Sequence, residues 1–115
     1  MTLYDYLMET DGEEVTVGDV DYDMTSYFYK DENPNDDWDK AIVELSKMLN
    51  VVEQEEGYVT VDLSTLIENH MGAIKKSDLF VSNDLDDIMY GMDSILAGNV
   101  SEKWMTRFVE TLRAC

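Results

Sequence analysis

Histidine and cysteine are nearly absent from this 115-residue sequence, which contains one of each. His70 is the only histidine, and the only cysteine, Cys115, is the last residue. Zinc sites use about four nitrogen or sulfur ligands, so the sequence offers no zinc set. Every Ser-His-Asp triad would have to use the same His70, and the six glycines are too scattered for a phosphate-binding loop. We therefore expect no cofactor, no metal site and no catalytic residue, and hence a protein that is not an enzyme.

Long apolar segments are also missing. The sequence has no run of 18 apolar residues, which predicts that it has no membrane span. Residues 1–6 lack the basic and apolar regions of a signal peptide, so we expect a cytoplasmic protein. Hydrophobic residues still make up 44% of the sequence, which is enough to build a core. At this length, a single domain over residues 1–115 is expected.

Basic residues are scarce. Lysine and arginine total 8 against 26 aspartates and glutamates, which gives a formal net charge of −18. Residues 1–62 hold 18 acids and 3 bases (−15), whereas residues 63–115 hold 8 acids and 5 bases (−3). This charge disfavours direct binding to nucleic acid or to an anionic membrane, and it favours partners with basic surfaces. The alternative interpretation is that the acidity serves solubility alone.

Apolar periodicity in the first half predicts two helices and two pairs of strands. Gly18 and Asp19 are assigned to the turn within the first pair. The predicted elements are a helix over residues 2–8, strands over 15–17 and 21–29, a helix over 38–49 capped by Asp36 or Asp37, and a hairpin of strands 51–52 and 58–63 that turns at Gly57.

The second half has helical periodicity throughout. One helix is predicted from Ser64 through residue 74, one from a cap at Asn83 or Asp84 to a glycine stop at Gly98, and one over residues 102–113 capped by Ser101. The element order α-β-β-α-β-β-α-α-α predicts an α+β fold. We expect small antiparallel β-hairpins packed with four to five helices, and a helical C-terminal half.

The segment from Asp19 to Asp39 departs furthest from an average globular composition, because carboxylates and aromatic side chains dominate it. Alternate residues of a strand share a face and lie about 6.6 Å apart, which is close to two phosphate steps along a DNA strand. Such a row of charges suits a channel lined by lysine and arginine, and tyrosines beside it suit interface anchors. The predicted partner-binding residues are Asp19, Asp21, Asp23, Tyr27, Tyr29, Asp31, Glu32, Asp36, Asp37 and Asp39. The alternative is a solvated acidic face with the aromatic residues in the core.

The alternation Asp19-x-Asp21-x-Asp23 imitates the start of a calcium-binding loop. The sixth position is Met24, where the loop needs glycine, and the twelfth is Lys30, where it needs a bidentate glutamate. We therefore predict no calcium site here.

Three segments, residues 27–31, 37–41 and 99–104, resemble parts of small proteins carried by bacterial mobile elements. In size, acidity and lack of catalytic motifs, the chain also resembles the DNA-mimic inhibitors of phages and conjugative elements, which include anti-CRISPR and anti-restriction proteins. That class shares a physical strategy rather than a motif, so the resemblance assigns no role to any single residue. It implies a basic partner such as a CRISPR effector nuclease or a restriction enzyme.

The sequence thus predicts a non-enzymatic acidic protein that occupies the nucleic-acid-binding channel of a basic partner. The alternative is a general protein–protein interaction module of a mobile element that uses its C-terminal helices, with Met105 and Val109 as apolar surface residues. That alternative includes a homodimer, and the sequence is compatible with a monomer or a homodimer.

Overall fold

A four-stranded sheet and six helices make up the part of the chain that the structure describes. The computed structural model describes residues 1–9, 14–22, 25–29 and 36–114, with only the backbone of residues 14 and 25–29. The elements are α1 (Leu3–Glu9), β1 (Glu14–Asp19), β2 (Thr25–Tyr29), α2 (Asp37–Met48), β3 (Val51–Glu55), β4 (Tyr58–Val61), α3 (Leu63–Asn69), α4 (Met71–Ser77), α5 (Leu85–Leu96) and α6 (Glu102–Arg113). This arrangement confirms the predicted α+β fold with a helical C-terminal half.

The strands are ordered β2-β1-β4-β3 across the sheet. Both predicted hairpins are antiparallel, but the two central strands, β1 and β4, pair in parallel, with Val17 opposite Val59. The short hairpin connections favoured antiparallel pairing, so the parallel pair was not predicted. A parallel pair requires a long crossover, which the chain provides because β2, α2 and β3 lie between β1 and β4.

One face of the central strands is buried. Val15 and Val17 of β1 and Val59 and Val61 of β4 are almost inaccessible to solvent, whereas the intervening Thr16 is partly exposed. Since successive side chains of a strand point to opposite faces, this alternation places the valines toward the helices. They join leucines, methionines and Phe108 from the helices in a single core.

Strand β3 lies at an edge of the sheet, and the start of the chain covers part of that edge. The Val51 N–H donates to the Met1 carbonyl at 2.9 Å, and the Leu3 N–H donates to the Leu49 carbonyl at 2.8 Å. Beyond this contact, residues 52–55 are exposed.

Helix α2 begins at Asp37, one residue before its predicted start at Trp38. Asp36, one of the two predicted caps, accepts hydrogen bonds from the N–H groups of Trp38 at 2.8 Å and Asp39 at 3.4 Å. An N-cap carboxylate satisfies backbone donors that have no partner within the helix. Ala41 and Leu45 then fall on the buried side of the helix.

The single helix predicted from Ser64 through residue 74 is instead two helices, α3 and α4, which are separated at His70. His70 has φ −116° and ψ 15°, outside the helical range. Its Nδ1 atom lies 2.6 Å from the Leu66 carbonyl oxygen, which can only accept, so the ring donates to it. The cap of α3 is Asp62 rather than the predicted Ser64.

Helices α5 and α6 match the predicted bounds and caps closely. Asp84 caps α5, Gly98 follows it with φ +97°, and Ser101 caps α6. Side chains of α6 also bond to the end of α4 and to the loop that follows it: Trp104 Nε1 donates to the Leu79 carbonyl at 3.2 Å, and Arg107 donates to the Ser77 carbonyl at 3.1 Å.

The connection between β1 and β2 differs from the prediction. Gly18 and Asp19 belong to strand β1 rather than to a turn, and β2 begins at Thr25 rather than at Asp21. Asp21 and Tyr22 form a bend, in which both backbone N–H groups donate to the Asp19 carboxylate. Such local bonds compete with the pairing of a strand. The predicted row of alternating strand acids is therefore wrong at Asp19 and Asp21, and Asp23 lies outside the described residues.

Replacing the α2 cap should cost stability. We expect Asp36→Ala to lower the free energy of unfolding by about 1 kcal/mol, and Asp36→Ser to restore most of it. Urea denaturation followed by circular dichroism measures both. Asp37→Ala removes the same charge one residue later and should have the smaller effect; equal losses would contradict the capping role.

Candidate partner-binding surface

Asp19, the first predicted binding residue, is a structural residue instead. Its side chain is buried, with 8% of the residue accessible to solvent. One carboxylate oxygen accepts from the Asp21 and Tyr22 N–H groups at 2.9 and 3.2 Å, and the other accepts from the Ser64 N–H at 2.9 Å. Three backbone donors therefore occupy Asp19, which corrects its prediction as a partner-binding residue.

Asp19 and its neighbour Asp21 both bond to the first turn of α3. The Ser64 hydroxyl donates to Asp21 at 2.9 Å, while the Asp62 carboxylate accepts from the Thr65 N–H at 3.2 Å. The first turn of a helix carries unpaired N–H groups and a partial positive charge, so it favours carboxylates. This position ties the bend after β1 to the start of α3, and it leaves Asp21 exposed.

Two residues of the same bend meet two residues of helix α5 in a group that we name the Tyr22–Tyr90 surface: Asp21, Tyr22, Asp86 and Tyr90. All of them are exposed except Tyr22, which is partly exposed. The Tyr22 hydroxyl donates to Asp86 at 2.5 Å. The rings of Tyr22 and Tyr90 meet edge to face, with centroids 6.3 Å apart and an interplanar angle of 89°. Tyr90 is 73% accessible, although it belongs to a well-packed helix. Two aromatic rings and two carboxylates thus share one solvent-facing position.

The Tyr22 phenol is held in its protonated form. The hydrogen bond to Asp86 raises the pKa of Tyr22 to about 12, and burial and the nearby charges of Asp86, Tyr90 and Asp21 raise it in the same direction. Ionisation would give up this bond and place a second anion beside the carboxylate. At neutral pH, Tyr22 is therefore a fixed donor that orients Asp86.

The three predicted residues at the start of α2 differ in structural role and in exposure to solvent. Asp36 is the helix cap, Asp39 is partly exposed, and Asp37 is exposed. Asp37 lines a groove of about 150 Å³ between α2 and α6. The groove also contains Glu44, whose carboxylate lies 3.7 Å from the Arg113 guanidinium. Charges of both signs therefore meet in this groove.

Five of the predicted positions have no described side chain. Asp23, Asp31 and Glu32 lie outside the described residues. Tyr27 and Tyr29 are placed by backbone register only, in β2 opposite Thr16 and Glu14 of β1. Their interpretation as binding residues stays a prediction.

Helix α5 and its flanking loops form an acidic region, although residues 63–115 as a whole carry a net charge of only −3. No basic residue occurs between Lys76 and Lys103. The acids of this interval are Asp78, Asp84, Asp86, Asp87, Asp93 and Glu102. The basic residues of the second half lie before and after it, so an average over residues 63–115 hides the difference. Counting charge per helix instead of per half would have found α5.

The two residues named for the apolar surface of the alternative function do not lie on the surface. Met105 and Val109 are buried in the core together with Phe108 and Leu112. The exposed positions of α6 include Lys103, Arg107 and Glu110, which are charged. Using Met105 or Val109 as contact residues is therefore wrong.

Within the described ranges, no helix is long and apolar enough to cross a membrane, and no group of three or more histidine, cysteine, aspartate or glutamate side chains could hold a metal ion. No protein-family model matches the sequence, no curated protein matches it, and no solved structure matches the fold. The functional conclusion therefore rests on the charge and surface geometry of this chain.

Removing the buried carboxylate should test its structural role. We expect Asp19→Ala to lower the free energy of unfolding by about 3 kcal/mol, because it leaves the buried Ser64 N–H without an acceptor and frees the bend. Asp21→Ala removes one exposed acceptor and should cost about 1 kcal/mol. Chemical denaturation of both variants makes the comparison, and an Asp19→Ala loss no larger than that of Asp21→Ala would contradict the assignment.

The phenol of Tyr22 should titrate later than an ordinary tyrosine. Subtracting the ultraviolet titration of Tyr22→Phe from that of the wild type isolates its ionisation, which we expect near pH 12 and, in Asp86→Asn, nearer to 10. Because the pKa is raised on folding, its contribution to stability is complete below about pH 10 and is lost as the pH rises to about 12. A Tyr22 pKa that is unchanged in Asp86→Asn would contradict the hydrogen bond as its cause.

Proposed function

We propose that this chain is a non-enzymatic acidic binding protein that occupies the nucleic-acid-binding channel of a basic partner, as a DNA mimic does. The observation that carries the proposal is the net charge of −18. Pairing every lysine and arginine with one acid would still leave 18 carboxylates without a cation from the chain. A CRISPR effector nuclease is the first candidate partner, and a restriction enzyme is the second.

The placement of the acids supports this proposal. Both ion pairs seen between described side chains end on Glu44, which bonds Lys47 and Arg113. Asp21 is exposed in the bend after β1, Asp37 on α2, and Asp86 and Asp87 on α5. Carboxylates in contact with water keep their charge and produce a field outside the protein. A basic channel that evolved to attract phosphates would be attracted by the same field, and association would be fast and sensitive to salt.

The same charge argues against other ligands. Duplex DNA and anionic lipids carry the sign of charge that this surface carries, so direct binding to either is disfavoured. The candidate partners act on nucleic acid inside the cell, and a cytoplasmic location is part of the proposal. The two contact residues named for the alternative, an apolar interaction surface or homodimer on α6, are buried in the core.

Localised neutralisation should weaken the binding. We expect a variant carrying Asp21→Asn, Asp23→Asn, Asp31→Asn, Glu32→Gln and Asp37→Asn to lose most inhibition of DNA cleavage by its target nuclease. Asp19 and Asp36 are kept because they stabilise the fold. The measurement is a cleavage assay with a panel of purified CRISPR effectors and restriction enzymes, in which duplex DNA should compete with the wild type for the enzyme.

A matched control removes the same charge elsewhere: Glu53→Gln, Glu55→Gln, Glu56→Gln, Glu68→Gln and Glu102→Gln. The control should retain most of the inhibition and the same steep loss with added salt. If both variants inhibit as well as the wild type does, the acidity serves only solvation. If both lose inhibition equally, the surface around residues 19–39 has no special part in it.

A further inference from the structure

We propose that the Tyr22–Tyr90 surface is an arginine-recognition site, at which an arginine of the basic partner stacks on Tyr90 and pairs with Asp86. The inference rests on the proposed function, since it takes the partner to be basic, and it deepens that function by naming one side chain of the partner and its position on this chain.

The exposure of Tyr90 has no explanation within the fold. Ile88, Met89 and Met92 cover the buried side of α5, so the helix packs without the tyrosine. Tyr22 holds the ring from one side in the edge-to-face contact and leaves 73% of the residue accessible. An aromatic side chain that is positioned and also solvent-exposed loses little conformational freedom on binding, which suits an interface anchor.

Asp86 is likewise oriented before any partner arrives. The Tyr22 hydroxyl fixes it through one carboxylate oxygen at 2.5 Å, yet the residue is exposed. A carboxylate offers about four acceptor positions, so one bond from the phenol leaves room for further donors. Asp21, bonded to Ser64, adds a second negative charge beside the phenol.

The chemistry of the group selects arginine over lysine. A guanidinium is planar, stacks on aromatic faces and presents a fork of donors that matches a carboxylate, whereas an ammonium is a compact point charge. The Tyr90 ring offers a face on which a guanidinium can stack, and the oriented Asp86 carboxylate offers acceptors for its N–H donors.

The sequence around Tyr90 provides no lysine or arginine that could stack on its ring. At another tyrosine the chain provides its own cation: Lys47 Nζ lies 5.0 Å from the centre of the Tyr4 ring. Around Tyr90, the whole interval from residue 77 to residue 102 lacks lysine and arginine. A second copy of the chain is a poor occupant, because it would bring another −18 charge to an acidic surface. The complementary occupant is a basic protein.

Site-resolved titration tests the inference. Isotope-labelled full-length protein is titrated with a short glycine-flanked peptide containing two arginines and with the same peptide containing two lysines, at equal ionic strength. Dissociation constants come from the nuclear magnetic resonance shifts of the Tyr22 and Tyr90 rings. We expect the arginine peptide to bind at this position about fivefold more tightly than the lysine peptide.

The variants separate stacking from charge. Tyr90→Ala keeps the net charge and should remove the preference for arginine, and Tyr90→Phe should restore it. Asp86→Asn should weaken the binding of both peptides at this site, while Glu55→Gln, the same loss of charge on β3, should leave the site unchanged. Tyr90 and Asp86 are exposed, and thermal unfolding checks that each variant stays folded.

The outcomes distinguish the two proposals. Equal affinity of the wild type for the two peptides, or an unchanged arginine preference in Tyr90→Ala, would overturn the arginine site and leave the basic partner standing. Binding of neither peptide, even at low salt, would overturn both. Inhibition of a nuclease by wild type and Tyr90→Ala alike would again reject only the arginine site.

Discussion

The Asp19 carboxylate is the contact on which the organisation of the acidic segment depends. It closes the bend at the end of β1 and also receives a backbone N–H from the first turn of α3. With Asp19 in place, Asp21 reaches the Ser64 hydroxyl and Tyr22 reaches Asp86. One inward-facing acid thus fixes the direction of its neighbours. Burying a carboxylate is unfavourable unless it is well bonded, and three backbone donors offset that cost.

The bend and helix α5 together form one surface from two distant parts of the chain. The bend contributes a phenol and a carboxylate, and α5 contributes a carboxylate and an exposed ring. The charge of this surface is explained by the lack of bases between Lys76 and Lys103. Its rigidity comes from the bonds to Asp86 and Ser64. Both properties favour recognition of a cation, and neither contributes to the hydrophobic core.

The sequence predicted those elements whose signals are local. The cap at Ser101 directly precedes the 12-residue helix that carries the apolar stripe of α6, and the Gly57 turn lies within one hairpin. Contacts between residues far apart in the sequence could not be predicted from local patterns: Asp19 and Ser64 are 45 positions apart, and Tyr22 and Asp86 are 64 apart. The parallel pairing of β1 with β4 is likewise a contact between segments far apart in the sequence. Regular alternation of Asp19, Asp21 and Asp23 resembled a strand, but hydrogen bonds to the Asp19 side chain turned the backbone away from that path.

The edge of the sheet at β3 carries a further consequence of the acidity. An open edge strand is a template on which a second molecule can add a strand, and this is a common start of aggregation. Here the Met1 and Leu3 backbones cover the beginning of β3, and Glu53 and Glu55 stand exposed along the remainder. Two such edges brought together would oppose like charges at close range. The excess of carboxylates therefore also disfavours the pairing of two such edges.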